Sequence, residues 1–272
     1  MIKTNPLPDF SLSFLKKFAS LYSPTEAGNS SARQGRPPLL TVQDLISGLA
    51  WHIAQPTGTF AMNLAIITGK TLSDSALSER RRSLGTKPWL EALDAILKPI
   101  ADTSVHPHAF YKGMRLVGVD GTTFNVANTP SMKLSGKKTK TRRGSAAFFR
   151  IGCVALVELG THAPLAVLIA ENDESEAVLA AKAIHNLMAI DLLIADRYYG
   201  SGKWVARLLS LPQKPYFFIR VQERFGAQIV RRLGDGSSLI RVKDPDSGEF
   251  ITVREVKANV RRPGKSWVKV RF

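Results

Sequence analysis

Apolar positions recur at helical spacing over the first hundred residues and mostly at strand spacing after them. Phe10, Phe14, Leu15, Phe18 and Leu21 share one face of a short helix predicted over residues 10–21. Residues 23–38 are rich in Ser, Gly and Pro, carry Arg33 and Arg36, and read as a linker. Thr41 followed by Asp44 forms a capping-box start, after which Val42, Leu45, Ile46, Leu49, Ala50 and Ile53 repeat with helical period. Further helices are expected over 59–67, over 76–84 behind the caps Ser73, Asp74 and Ser75, and over 88–100 with Leu90, Leu93, Ile96 and Leu97 inward. The third of these four carries Arg80, Arg81 and Arg82.

From Arg115 the period changes. Residues 115–120 read as a short apolar strand that ends in an acid, and 147–158 and 163–170 as two more strands joined by a Gly160-Thr161-His162 turn. A helix is expected over 174–188, a strand over 192–196 that again ends in an acid, a helix over 202–211 and a strand over 216–221. Short strands at 229–233, 238–242, 250–256 and 266–272 follow. No internal repeat interrupts this order. Three hairpin-linked strands followed by a helix crossing to a parallel strand is the ribonuclease H-like arrangement. The expected fold class is therefore α/β: a ribonuclease H-like mixed sheet with a β-rich insertion, preceded by a small all-helical region. The expected domains are an N-terminal helix and linker at 1–39, a helical domain at 40–112, and an α/β domain at 113–272 whose insertion is 226–272.

Charge narrows the range of functions. Thirty-eight Lys and Arg against 22 Asp and Glu give a net charge of +16, which points to a polyanionic partner. The single cysteine, Cys153, excludes an intrachain disulfide and any multi-Cys zinc site, and its apolar neighbours make it a buried, inert thiol. The histidines show no metal-ligand spacing, and His106 and His108 read as connector residues. With no leader-like start and no run of 18 apolar residues, the expectation is a cytoplasmic protein without membrane partners.

Asp120 and Asp196 carry the chemistry. Each taken alone also reads as an acid closing a turn at a strand end. Together they gain force, because an apolar strand, an acid and a Gly-containing segment occur twice in the topological places where open α/β sheets collect ligands. Paired carboxylates bind Mg²⁺, or Mn²⁺ in its place, through oxygen. Two such ions ~3.5–4 Å apart activate an attacking oxygen and stabilise the leaving oxygen of a phosphodiester.

Three segments carry a family resemblance. Val119-Asp-Gly-Thr-Thr-Phe-Asn-Val-Ala-Asn-Thr-Pro130, Ala155-Leu-Val-Glu-Leu-Gly-Thr-His162 and Asp191-Leu-Leu-Ile-Ala-Asp-Arg-Tyr-Tyr-Gly-Ser201 resemble the catalytic core of bacterial DDE transposases of the insertion-sequence 4 kind. The helical Leu72-Ser-Asp-Ser-Ala-Leu-Ser-Glu-Arg-Arg-Arg82 is similar to the segment before that core. The resemblance spans roughly residues 40–272. It implies a ribonuclease H-like fold, catalytic and metal-binding roles for Asp120 and Asp196, Mg²⁺ as cofactor, and a homodimer on DNA. The activity it implies is DNA transposition: metal-dependent cleavage at transposon ends and strand transfer into a target.

The family's third acid belongs to a helix after the insertion, in a Tyr-x-x-Arg-x-x-x-Glu-x(6)-Lys pattern that this sequence lacks after Asp196. Glu223, Asp235, Asp244, Asp246, Glu249 and Glu255 all fall in strand-and-turn contexts, so no third carboxylate is assigned. Truncation is the simplest expectation, and with it an inactive chain. The alternative function is a DNA-binding remnant or an inhibitor of an intact transposase. The strand-Asp-Gly-Thr-Thr motif also resembles phosphatases of the haloacid dehalogenase type, but Gly118 stands where their nucleophilic Asp belongs.

Two basic clusters are candidates for phosphate contact: Lys133, Lys137, Lys138, Lys140, Arg142, Arg143 and Arg150, then Arg261, Arg262 and Lys265 with their neighbours. Arg197 and Lys203 join them by nearness to Asp196. Tyr198 and Tyr199 read either as DNA-positioning or as turn packing. Glu171, Asp173, Glu174 and Glu176 suit a helix N-terminus and are not assigned to metal.

Overall fold

A computed structural model describes residues 39–55, 57–130, 132, 138, 140–141, 144–171, 173–221, 226–261 and 267–272. The helix and linker expected within 1–38 lie outside the described residues. The chain divides into two compact units, Met1–Lys98 and Pro99–Phe272.

The first unit holds α1 (Val42–Ala54), α2 (Phe60–Thr68), α3 (Asp74–Ser83) and α4 (Lys87–Ile96). Local chemistry sets each start. The Thr41 hydroxyl accepts from the Asp44 N–H at 3.0 Å while the Asp44 carboxylate accepts from the Thr41 N–H at 2.8 Å, completing the capping box. Thr59 and Ser73 cap α2 and α3, and Pro88 opens α4. Gly69, at φ 67°, closes α2 in the left-handed conformation that suits glycine. Leu40, Leu45, Leu64 and Leu77 form the core, with Phe60 and Trp89 packed on it. Helix α4 stops near residue 96, short of the expected 100, because Leu97 leaves helical geometry.

Asp44 also holds Lys70 at 2.7 Å. Burial pushes its carboxyl up, but the Lys70 hydrogen bond, the Thr41 bonds and the Lys70 charge together bring it below the ordinary 3.8. A lowered folded pKa supplies stability above 3.8 that disappears as pH falls through the folded value. Asp44→Ala should destabilise the helical unit by about 1–2 kcal/mol at neutral pH, as for loss of a cap. In thermal melts that gap should narrow as pH drops below 3.8, and a gap that widens in acid would contradict the assignment.

The second unit is built on a mixed sheet in the order β6-β5-β2-β7-β8, with β1 (Phe110–Tyr111) pairing off β2. Strands β2 (Met114–Val126), β5 (Phe149–Glu158) and β6 (Pro164–Ile169) run antiparallel, and β7 (Asp191–Ala195) and β8 (Tyr216–Ile219) run parallel to β2. A two-residue ribbon, β3 (Lys140–Thr141) and β4 (Gly144–Ser145), lies between β2 and β5 in sequence. Helix α5 (Glu176–Ala183) connects β6 to β7, and α6 (Gly202–Leu209) connects β7 to β8. This is the ribonuclease H-like order expected from the sequence. The core unites Val117, Val119, Val154, Leu156 and Leu193 of the sheet with Leu179, Ala180 and Ala183 of α5 and Trp204 and Leu208 of α6.

One expectation needs correcting. Strand β2 does not end at Asp120. Its pairing with β5 continues without a break to Val126↔Phe149, because Thr122, Thr123, Phe124 and Val126 suit a strand better than a turn. What ends near Asp120 is the parallel pairing to β7, whose last pair is Gly118↔Ile194.

Beyond β8 the chain forms a three-stranded antiparallel sheet, β9 (Ala227–Arg232), β10 (Ser238–Lys243) and β11 (Phe250–Glu255), and a ribbon of β12 (Lys257–Arg261) and β13 (Trp267–Arg271). Strand β12 is an addition to the four strands read from the sequence; its residues are largely exposed and its apolar signal is weak. Phe272 stacks on Phe218, ring centroids 4.4 Å apart, which fastens the ribbon's end to the main sheet. At Gly202 a Cβ would meet the Lys243 carbonyl and lie 3.0 Å from Val242 Cγ1, so α6 starts hard against β10. Gly202→Val is expected to cost about 1–3 kcal/mol in a denaturant titration, the usual penalty of overpacking; an unchanged midpoint would show that the β-rich sheet yields freely. Among the described residues no helix is long and apolar enough to cross a membrane.

Candidate active site

The parallel ladder between β2 and β7 pairs Arg115↔Asp191, Leu116↔Leu192, Val117↔Leu193 and Gly118↔Ile194. Asp120 and Asp196 each stand two residues past the last of these pairs. Asp120, within β2, and Asp196, directly after β7, therefore stand at the same level of neighbouring strands about 4.8 Å apart. The apolar residues beneath fix that level: a one-residue slip would turn Val117, Val119, Leu193 and Ala195 out of the core.

Both acids are exposed, and each is held at one oxygen. Asp120 Oδ1 accepts from the Gly121 N–H at 2.9 Å, and Asp196 Oδ1 from the Tyr198 N–H at 2.7 Å. Neither Oδ2 has a hydrogen-bond partner among the described residues. Two carboxylates with free, solvent-facing oxygens fit a hard divalent cation such as Mg²⁺, which commonly takes one or two carboxylates and completes its shell with water and phosphate. Among the described residues no three His, Cys, Asp or Glu side chains are grouped to hold an ion.

Two neighbours bear on the site: Tyr199, which the sequence left open between DNA-positioning and turn packing, and Glu176, which it did not assign there. The Tyr199 ring is 2% exposed, tilted against Trp204, and its hydroxyl donates to Glu176 Oε1 at 2.8 Å. Burial, then the Glu176 hydrogen bond, then the charges of Glu176 and Asp120 push the Tyr199 phenol well above its ordinary range. Tyr199 is thus a packing residue, whereas Tyr198 lies edge-on to it and is half exposed. Glu176 begins α5, and its side chain lies over Gly121. An open depression beside Asp120 is lined by Gly121, Thr123, Arg150, Cys153, Glu174 and Glu176. Burial raises the Cys153 thiol, in keeping with an inert group.

The basic candidates separate. Arg197 is exposed directly after Asp196, and Arg150 is exposed on β5 opposite Asn125. Lys138 sits over the Phe149 ring, 5.1 Å from its centroid. Lys203 pairs with Asp246 at 2.8 Å, both side chains at least half exposed, an ion pair of little net worth. Lys140 lies in β3, and exposed Arg261 ends β12 opposite Trp267. Lys133, Lys137, Arg142, Arg143, Arg262 and Lys265 lie outside the described residues, as does Glu223. Of the other acids weighed for a third carboxylate, Asp235 holds Arg254, Asp244 accepts from Ser247, and Glu255 is buried against Arg271 and Lys257.

At the opposite end of the same two strands lies a buried ionic group that the sequence did not reveal. Arg115 (3% exposed) donates to Asp191 (0%) at 2.8 and 3.0 Å, and its guanidinium is 3.6 Å from Glu158 (0%). Glu158 also accepts from the Ala101 N–H at 2.8 Å and from the Thr161 hydroxyl. Arg115 and Asp191 are partners in the same β2–β7 ladder, so this ion pair adds to the apolar residues in favouring the register that sets Asp120 beside Asp196.

No curated protein matches the chain. Among solved structures, a piggyBac transposase synaptic complex with hairpin DNA, determined by cryo-EM, is similar at 9% identity and a TM-score of 0.34. That match covers 93% of this chain and 53% of the other, so the chain spans about half the length of that protein. Residues 111–267, more than half of the 272, match the family described as Transposase DDE domain. Strands β2 through β13 and both exposed acids fall in or at the edge of that match, and the chain belongs to the transposase DDE domain family.

Proposed function

We propose that this protein acts in DNA transposition and that Asp120 and Asp196 are the carboxylates that hold its divalent cation, Mg²⁺ or Mn²⁺ as substitute. The observation that carries the reading is the ladder that brings both exposed acids to one level on adjacent parallel strands of a ribonuclease H-like sheet. When bound, the cation supplies charge stabilisation for phosphodiester cleavage and strand transfer at a transposon end. The protein's own part is positional. Asp120 and Asp196 offer their free oxygens, the hydrogen bonds from Gly121 and Tyr198 fix the carboxylate planes, and Arg197 and Arg150 draw the DNA backbone toward them. In this reading residues 113–272 form the catalytic domain with 226–272 as its β-rich insertion, and two copies assemble on DNA.

A second reading is that the 272-residue chain binds DNA without cutting it, or inhibits an intact transposase. It rests on the sequence after Asp196, which lacks the Tyr-x-x-Arg-x-x-x-Glu-x(6)-Lys pattern of the resembled family.

Duplex DNA titrated at several salt concentrations should show affinity falling steeply with salt, and Arg197→Ala should reduce the slope of log K against log salt by about 1. Binding indifferent to salt would remove DNA as partner. Mg²⁺-dependent nicking that Asp120→Asn abolishes would select the first reading; salt-sensitive binding without nicking would select the second.

A further inference from the structure

Glu176 is more than a helix-opening acid. A glutamate that serves only a helix dipole keeps its carboxylate in water at the first turn. This one is turned inward. Oε1 accepts the hydroxyl of the buried Tyr199 at 2.8 Å, and the side chain lies so close over Gly121 that a Cβ there would be 2.6 Å from both Cγ and Oε2. Gly121 is the residue after Asp120, and Tyr199 closes the turn begun by Asp196 through its N–H to the Asp196 carbonyl at 3.2 Å. One side chain on α5 therefore bears on the backbone beside the first acid and on the turn that carries the second. The only residue that leaves room for it at 121 is glycine.

We propose that Glu176 is a positioning residue: through Tyr199 and Gly121 it sets the spacing of Asp120 and Asp196 and so tunes their affinity for a divalent cation. The proposal rests on the reading of Asp120 and Asp196 as the cation-binding pair. Partners behind metal ligands commonly change affinity by about 10–100-fold when removed. What matters at position 176 is an oxygen acceptor of the right reach, not a negative charge. Gln supplies that oxygen without the charge, and Ala supplies neither.

The test is Mn²⁺ binding to the full chain by isothermal titration, with thermal melts of each variant alongside. Glu176→Ala should weaken Mn²⁺ by about 10-fold or more, Tyr199→Phe should weaken it in the same direction, and the double variant should be no worse than the weaker single. Glu176→Gln should return the affinity to near wild type. Gly121→Ala, which drives a methyl into Glu176, should weaken Mn²⁺ even where its melting temperature is retained. If Glu176→Gln falls as far as Glu176→Ala, the charge itself is at work and the positioning role is wrong. If Glu176→Ala and Tyr199→Phe leave affinity unchanged while Asp120→Asn lowers it, the proposal is overturned and the acid pair stands. If Asp120→Asn also changes nothing, the acid pair is overturned and the proposal with it.

Discussion

Arg115→Met should destabilise the α/β unit by about 3–5 kcal/mol at neutral pH, the usual cost of stranding a buried charge by removing its partner. Two carboxylates depend on this guanidinium. The Asp191 carboxylate accepts two hydrogen bonds from Arg115 besides one from the Met188 N–H, and Glu158 lies 3.6 Å away with one buried oxygen that makes no hydrogen bond. The pH dependence has a definite sign. Burial already holds Asp191 above its ordinary 3.8, against the opposing pull of the Met188 N–H and of Arg115. A raised folded pKa means that the residue's contribution to stability is present below 3.8 and is lost as pH rises through the folded value. Without Arg115 that rise is larger, so the gap between variant and wild type should widen from acid toward neutral pH. Denaturant titrations at several pH values would check it. A loss below about 1 kcal/mol, or a gap that narrows toward neutrality, would mean that the ionic group does not add to the β2–β7 register.

Replacing either exposed acid should have the opposite character: large for binding, small for folding. On the proposed reading, Asp120→Asn and Asp196→Asn each remove one of the two carboxylates that hold the cation. Outer partners alone change metal affinity by about 10–100-fold, so loss of a ligand should exceed that, about 100-fold or more for Mn²⁺. Stability should stay level or rise slightly, because both side chains are solvent-facing and two like charges no longer stand at one level of the sheet. Calorimetry with Mn²⁺ beside thermal melts separates the two effects. A variant that loses both metal and fold together would place these acids among the structural residues instead.

The contrast between the two ends of β2 and β7 explains how much could be read from the sequence. Apolar runs followed by acids at Asp120 and Asp196, and the order of strands and helices around them, are local patterns, and the sheet order followed from them. The capping box at Thr41 and Asp44 was equally local. The Arg115, Asp191 and Glu158 group was not legible, since it exists only through ladders that join residues distant in sequence. Nothing in any one segment distinguishes those charges from surface ones. Glu176 was hidden for the same reason, its partners Gly121 and Tyr199 lying on two other elements. The continuation of β2 past Asp120 was obscured by Gly121, which reads as a turn residue; the glycine answers to the close approach of Glu176 rather than to chain reversal.

The assignment of Asp120 and Asp196 to a cation that meets DNA is tested most directly by the divalent-ion dependence of DNA binding at constant ionic strength. With a short duplex and Mg²⁺ or Mn²⁺ against a chelator, the wild-type chain should bind about 10-fold or more tightly when the ion is present, a coupling of roughly 1.4 kcal/mol. Asp120→Asn and Asp196→Asn should bind DNA equally with and without the ion, at the wild-type level in chelator. The same ion dependence in wild type and in both variants would contradict the assignment.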